Sequence, residues 1–179
     1  MFDLDAFIVE CRNALGEAQP VLAVKDIIGR AVADPAAVAK ALPDKGVTVM
    51  VRDPDLTVIS VVVPGGTSKS RSIPHDHRMW AVVGIYAGQE DNQFFRRADN
   101  SLVDSGGRSL RVSDSLALGS DTIHAIHNPL HHSSLAAIHV YGGDLLGAER
   151  SMWTDPGYVE QPYDETKVVG RVGFKQAPA

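Results

Sequence analysis

Two histidines, His75 and His77, stand two residues apart in the segment Ser72-Ile-Pro-His-Asp-His-Arg-Met-Trp80. An extended strand sends residues i and i+2 to the same face, so both imidazoles can aim at one point. Such a pair is a chelate for a divalent metal, and two neighbouring loop histidines that bind nothing have the same spacing. A third imidazole is available from His124, in Gly119-Ser-Asp-Thr-Ile-His-Ala-Ile-His-Asn128. The single cysteine, Cys11, can form neither an internal disulfide nor a thiolate cage, so nitrogen and oxygen must hold any metal.

Positioning these groups requires strands. The apolar run Met79 to Ala87 is rich in β-formers and ends at Gly88, after which Asn92 to Arg97 can return as the next strand. Pro74 fixes φ just ahead of the pair, which suits the mouth of a strand better than its middle. Val47 to Arg52 and Leu56 to Val63 precede them, the second so apolar that both of its faces must be covered. Further strand signals fall at Ser109 to Val112, Thr122 to His127, Leu135 to Tyr141 and Lys167 to Phe174, separated by Gly, Asp, Ser and Pro clusters. Many short strands at that spacing predict an antiparallel sandwich or barrel.

Ahead of the strands the periodicity is helical. Phe2 to Leu15 carries an apolar stripe stopped by Gly16, and Pro20 to Ala33 carries a second. Asp34-Pro35 caps and starts a short third helix, and Pro43-Asp-Lys-Gly46 is turn chemistry that ends the helical region. Cys11 falls within the first helix and reads as a small packing residue. Ala148 to Asp164 has weak periodicity, and its Trp153, Tyr158 and Tyr163 suggest an aromatic loop that covers one end of the barrel or packs outside it.

With 179 residues, 44% hydrophobic and 22% charged, the chain is expected to be a single domain of residues 1–179, a helical segment over 1–42 followed by a β-barrel over 47–179. A net charge of -5 excludes the basic face that nucleic acid requires, and Arg96-Arg97 is its only adjacent basic pair. No apolar run has the length of a membrane span, and Met1-Phe-Asp-Leu-Asp5 is acidic where a signal peptide is basic. The expectation is a cytoplasmic protein that binds neither nucleic acid nor membrane; an oligomer is compatible with the sequence.

The two histidine segments resemble the paired motifs of the cupin superfamily. His75, His77 and Gly88 match the first motif, and Gly119, His124 and Asn128 match the second. The resemblance implies an all-β cupin double-stranded β-helix, a jelly-roll barrel, with N-terminal α-helices. The family's usual Glu ligand falls at Ala81, so three neutral imidazoles, His75, His77 and His124, would hold the metal. That ligand set is similar to the thiol dioxygenases typified by cysteine dioxygenase. It implies Fe(II), with Ni, Cu, Mn and Zn as alternatives, and a small-molecule thiol substrate of the cysteine or 3-mercaptopropionate type oxidised by O2 to its sulfinate.

Leu135-Ala-Ala-Ile-His-Val-Tyr141 resembles the same family's strand in which a His and a Tyr face the metal, which implies catalytic roles for His139 and Tyr141. Ala137 stands where the animal enzyme has a Ser, and the Cys cross-linked to the Tyr there would fall at about Val82, so no thioether can form. The family binds its substrate's carboxylate through an Arg from an earlier strand, and Arg52 is the counterpart, with Arg71, Arg78 and Arg96 as rivals. An edge-strand Arg52 paired with Asp53 or Asp55 is the alternative. Of the remaining groups, His127, His131 and His132 read as surface or packing residues, and Glu90 and Asp91 as solvated turn carboxylates. Asp76 should point away from the ligands and could orient an imidazole. A cupin acting on a non-thiol anion and a non-catalytic metal- or ligand-binding module are the competing readings.

Overall fold

The computed structural model describes residues 1–66, 70–99 and 101–168, and the backbone of 175–176. Three helices open the chain: α1 (Leu4–Ala14), α2 (Pro20–Val32) and α3 (Pro35–Ala41). Twelve strands follow: β1 (Gly46–Arg52), β2 (Thr57–Val63), β3 (His75–Asp76), β4 (Ala81–Ala87), β5 (Gln89–Ala98), β6 (Ser101–Arg111), β7 (Ser115–Leu118), β8 (Ile123–His127), β9 (Leu135–Tyr141), β10 (Ser151–Thr154), β11 (Val159–Pro162) and β12 (Lys175–Gln176). A one-turn helix, α4 (Glu165–Val168), precedes the last of them.

The strands form two six-stranded sheets with orders β12-β1-β2-β9-β4-β7 and β11-β10-β3-β8-β5-β6. From β2 to β10 the chain crosses repeatedly between them: β2, β4, β7 and β9 lie in the first sheet, and β3, β5, β8 and β10 in the second. This winding of an antiparallel ladder is the double-stranded β-helix. The inward faces of the adjacent strands β2, β9 and β4 carry Ile59, Val61, Leu135, Ala137, Ala81 and Val83, which join Leu110 and Ile126 of the second sheet in one core. The outward faces of the same strands are equally apolar because the helices cover them. Val58, Val62, Val82, Ile138 and Val140 pack against Ile8, Cys11, Val24, Ile28 and Val32. That double coverage is why β2 is buried at all seven positions.

Local chemistry sets the helix boundaries. Asp3 and Asp34 accept the backbone N–H groups of Ala6 and Ala37 at 3.0 and 3.2 Å, and Pro20 and Pro35 begin their helices where an N–H would have no partner. Gly84 lets α2 sit close: a Cβ there would meet Ile28 Cγ2 at 2.3 Å and Val32 Cγ1 at 2.9 Å. Gly88 turns the chain between β4 and β5 at φ +70, as its place in the first motif predicts. Cys11 is fully buried, and burial pushes its thiol up to about 12, which makes it a packing residue.

Several strand expectations need correction. The expected strand from Ser109 to Val112 is the end of an eleven-residue strand, β6, which closes at Arg111 and whose Gly106-Gly107 and Asp104 conceal it in the sequence; Val112 lies in the turn that follows. The region 148–164 is not a simple loop, since β10 and β11 form an antiparallel pair inside it. Trp153 from β10 is buried against Phe95, Leu102, Ile123 and Ala125. The expected strand over 167–174 begins in α4 instead, and 169–174 lie outside the described residues. No helix among the described residues is long and apolar enough to cross a membrane.

Candidate metal centre

His75 on β3 lies directly opposite His124 on β8 in an antiparallel register, and Asp76 opposite Ile123. The period-two geometry then brings His77 back to the face of His75, and the three rings form a triangle. Their centroids lie 5.2 Å apart for His75–His77, 4.9 Å for His75–His124 and 5.0 Å for His77–His124. One nitrogen from each ring lies within 4.8 Å of the other two.

Hydrogen bonding decides which nitrogen faces inward. His75 Nδ1 donates to the Ile73 carbonyl at 2.9 Å, and His124 Nδ1 donates to Asn92 Oδ1 at 2.8 Å. Both rings therefore present a bare Nε2. His124 Nε2 and His77 Nε2 are 3.4 Å apart, and two nitrogens about 2.1 Å from one ion at a tetrahedral angle stand about 3.4 Å apart.

All three imidazoles are buried, and desolvation lowers the pKa of His75 to about 4 and those of His77 and His124 well below the ordinary imidazole value. They are thus held in the neutral form that a cation needs. Among the described residues no other His, Cys, Asp or Glu group is arranged to share an ion. Ala81, at the position of the absent Glu, is buried in the inner core opposite Tyr141 and supplies no ligand. The donor set fits a divalent metal that accepts nitrogen and keeps open positions.

β9 delivers the next two groups. His139 and Tyr141 share its inward face, and His139 Nδ1 lies 3.0 Å from Tyr141 Oη. The Tyr141 ring stands edge-on to His77, with centroids 5.0 Å apart and planes at 78°. Burial raises the Tyr141 pKa and lowers that of His139 to about 3, so both are neutral at physiological pH. Val82 belongs to the outward face under the helices, so the residue facing Tyr141 across the ladder is Ala81.

Arg52 is placed elsewhere. It is exposed, and its Nε and Nη2 are held by Asp144 at 2.8 and 2.9 Å, while Asp53 pairs with Arg12. Arg71, Arg78 and Arg96 are also exposed, and none lines the cavity of the three imidazoles.

The cation that does line it is Arg150, a residue that sequence reasoning passed over. Arg150 follows the loop after β9 and is only 8% exposed, with its guanidinium 3.6 Å from the centre of the Tyr163 ring. Its Nε has no hydrogen-bond partner, and among the described residues no carboxylate pairs with it. A buried cation lacking a counter-charge is costly, and an anionic ligand would remove that cost. The only signal in the sequence was the weakly periodic segment that carries both Arg150 and Tyr163.

Asp76 points away from the ligands as expected, but it orients no imidazole. Its carboxylate accepts Ser151 N–H at 2.8 Å and Arg78 Nε at 2.9 Å, tying β3 to β10. Glu90 is the larger correction. It is not a solvated turn carboxylate but a fully buried one, because alternation along β5 turns Glu90 and Asn92 into the barrel while Asp91 faces out. Asn92 Nδ2 donates to Glu90 Oε1 at 2.8 Å, and desolvation raises the Glu90 carboxyl to about 7. Asn128 holds the loop after β8 by donating to the carbonyls of Val63 and Ser133, each at 2.9 Å.

The cavity above the imidazoles is small, about 40 Å³. A wider surface groove, lined by Arg52, Arg78, Glu160 and Lys167, shares Arg150 and Tyr163 with it. The three imidazole donors converge in the smaller space.

No protein-family model matches this sequence, and no curated protein matches it. Solved structures similar to it include an uncharacterized conserved protein with a double-stranded β-helix domain from Klebsiella pneumoniae, 12% identical over 58% of this chain and 75% of that one, with a TM-score of 0.46. A cupin-family protein with the same fold from Methanocaldococcus jannaschii is 10% identical over 57% of this chain and 84% of that one, with a TM-score of 0.44. The DMSP lyase DddQ from Ruegeria pomeroyi is 21% identical over 54% of this chain, with a TM-score of 0.41, and this chain spans 42% of its length.

Proposed function

We propose that this protein is a mononuclear iron-dependent dioxygenase that oxidises a small thiol carboxylate to its sulfinate. The observation that carries this reading is an all-imidazole triad beside a hydrogen-bonded His139–Tyr141 pair and a buried Arg150 that no carboxylate pairs among the described residues. Three neutral ligands leave the full charge of a divalent ion uncompensated, which favours an anionic substrate. Iron(II), when bound, supplies a Lewis acid that favours the thiolate and a site at which thiolate and O2 meet. The overall change, R–S⁻ + O2 → R–SO2⁻, takes four electrons from sulfur and needs no other reductant.

The chain's own residues do the rest. Arg150 takes the substrate's carboxylate with its fork of donors, a role that Arg52 cannot fill while Asp144 holds it. Stacking on Tyr163 fixes the plane of that fork. Tyr141 stands against His77, where its hydroxyl can donate to the reacting sulfur, and His139 sets the direction of that hydroxyl. The apolar walls, Ile59, Val61 and Leu145, exclude water from the reacting centre.

The test is metal analysis of the purified protein, followed by oxygen uptake with cysteine, 3-mercaptopropionate and non-thiol acids such as oxalate. Uptake with a thiol carboxylate, matched by sulfinate, is the expected result. Turnover of a non-thiol acid alone would make the protein a different cupin enzyme, and tightly bound metal with no turnover would make it a binding module.

A further inference from the structure

Two buried atoms in the barrel face each other without partners. Glu90 Oε2 and His139 Nε2 are each unpaired, and they lie 3.8 Å apart. A buried polar atom left unsatisfied is costly, and a hydrogen bond between these two would satisfy both. The gap is too short for a bridging water, which needs roughly 4.6 Å between its two partners, and closing it to a hydrogen bond takes a movement of about 1 Å. Ala137, two residues before His139 on the same inward face, offers His139 no polar atom.

We propose that Glu90 is a positioning residue: through His139 Nε2 it makes Nδ1–H the donor to Tyr141 Oη, leaving the Tyr141 hydroxyl hydrogen free to turn into the cavity. The inference deepens the proposed function and rests on it for what Tyr141 then does.

The reason is charge. Glu90 is fully buried and His139 is 4% exposed, so the pair is stable when it carries no net charge. One hydrogen shared between Oε2 and Nε2 achieves this. Whichever atom holds that hydrogen, neutrality requires the remaining one on Nδ1. The pKa values agree, with Glu90 raised to about 7 and His139 lowered to about 3, which puts the shared hydrogen on the carboxyl. Asn92 holds the other carboxyl oxygen at 2.8 Å and so keeps Oε2 turned towards the ring. Were Glu90 absent, the Tyr141 hydrogen would be drawn to Nδ1 and away from the substrate.

The test uses the full chain, metal-free and 15N-labelled at histidine, with Glu90→Gln and Glu90→Leu. Long-range proton–nitrogen correlation reads which ring nitrogen of His139 carries hydrogen, and His139→Asn assigns the signal. Wild type and Glu90→Gln are expected to show Nδ1–H, because the Gln amide can donate to Nε2 while its oxygen keeps Asn92. Glu90→Leu should lose that preference. With iron and thiol, kcat in Glu90→Leu should fall about 10–100-fold with KM changed less than about twofold, and Glu90→Gln should recover most of the rate. Hydrogen on Nε2 and not on Nδ1 in wild type, or an unchanged ring signature in Glu90→Leu, would overturn the proposal. Wild-type protein that consumes no oxygen on any thiol refutes the function proposed above, and the nitrogen measurement still decides Glu90.

Discussion

The Glu90 carboxyl makes stability depend on pH in a direction opposite to that of an ordinary acidic residue. Its value rises from 4.5 to about 7 on folding, chiefly through desolvation. At 1.36 kcal/mol per pH unit that corresponds to about 3 kcal/mol. The sign follows from proton counts. Between the two values the folded state holds a proton that the unfolded chain has released, so the stabilisation is full below pH 4.5 and disappears as pH rises through about 7.

Glu90→Gln keeps the shape and the hydrogen bond from Asn92 but cannot ionise. Urea unfolding of the metal-free proteins at pH 5 and pH 8 should therefore find wild type losing more than about 2 kcal/mol relative to the variant. Folded His75 and His139, near 4 and 3, and His77 and His124, held by burial well below the ordinary imidazole value, are neutral across that range in both proteins and cancel in the difference. A difference that stays constant from pH 5 to pH 8 would mean that Glu90 titrates normally in the folded protein, and the burial argument would fail.

Three further outcomes are expected. His124→Ala should abolish stoichiometric binding of iron(II), measured by elemental analysis after dialysis, while circular dichroism of the barrel stays unchanged; retained metal would place the centre elsewhere. Arg150→Met should raise KM for a thiol carboxylate by about 10–100-fold, the value of a charged hydrogen-bonded pair, and leave cysteamine, which lacks a carboxylate, little affected; Arg52→Ala should change neither. Gly84→Ala should lower the unfolding free energy by about 1–3 kcal/mol, because the new methyl would sit 2.3 Å from Ile28 Cγ2 and push α2 off the sheet.

Much of the framework was legible in the residues. The helical stripes and Asp-Pro start signals located α1 to α3 within a residue or two, since capping and amphipathic periodicity are local properties. Strand alternation placed His75 and His77 on one face, and His139 and Tyr141 on another, without any knowledge of the partner strands. The segments that misled were those with mixed signals. β6 hides behind Gly106-Gly107, and β10 and β11 hide among prolines and acids, because pairing in the second sheet overrides weak intrinsic preference there.

Sequence by itself determined that one face of each strand would carry these imidazoles and that no thiolate or motif Glu would join them. Only the tertiary structure decided which cation enters the cavity and which carboxyl is buried. Arg52 and Arg150 have the same side chain, yet Asp144, far along the chain, occupies the first, while the second lies against Tyr163 with no carboxylate partner among the described residues. Glu90 next to a turn glycine reads as solvated until β6 and β8 close on either side of β5 and leave it no access to water. Burial and charge pairing are sums over neighbours distant in sequence, and periodicity along one strand carries no record of them.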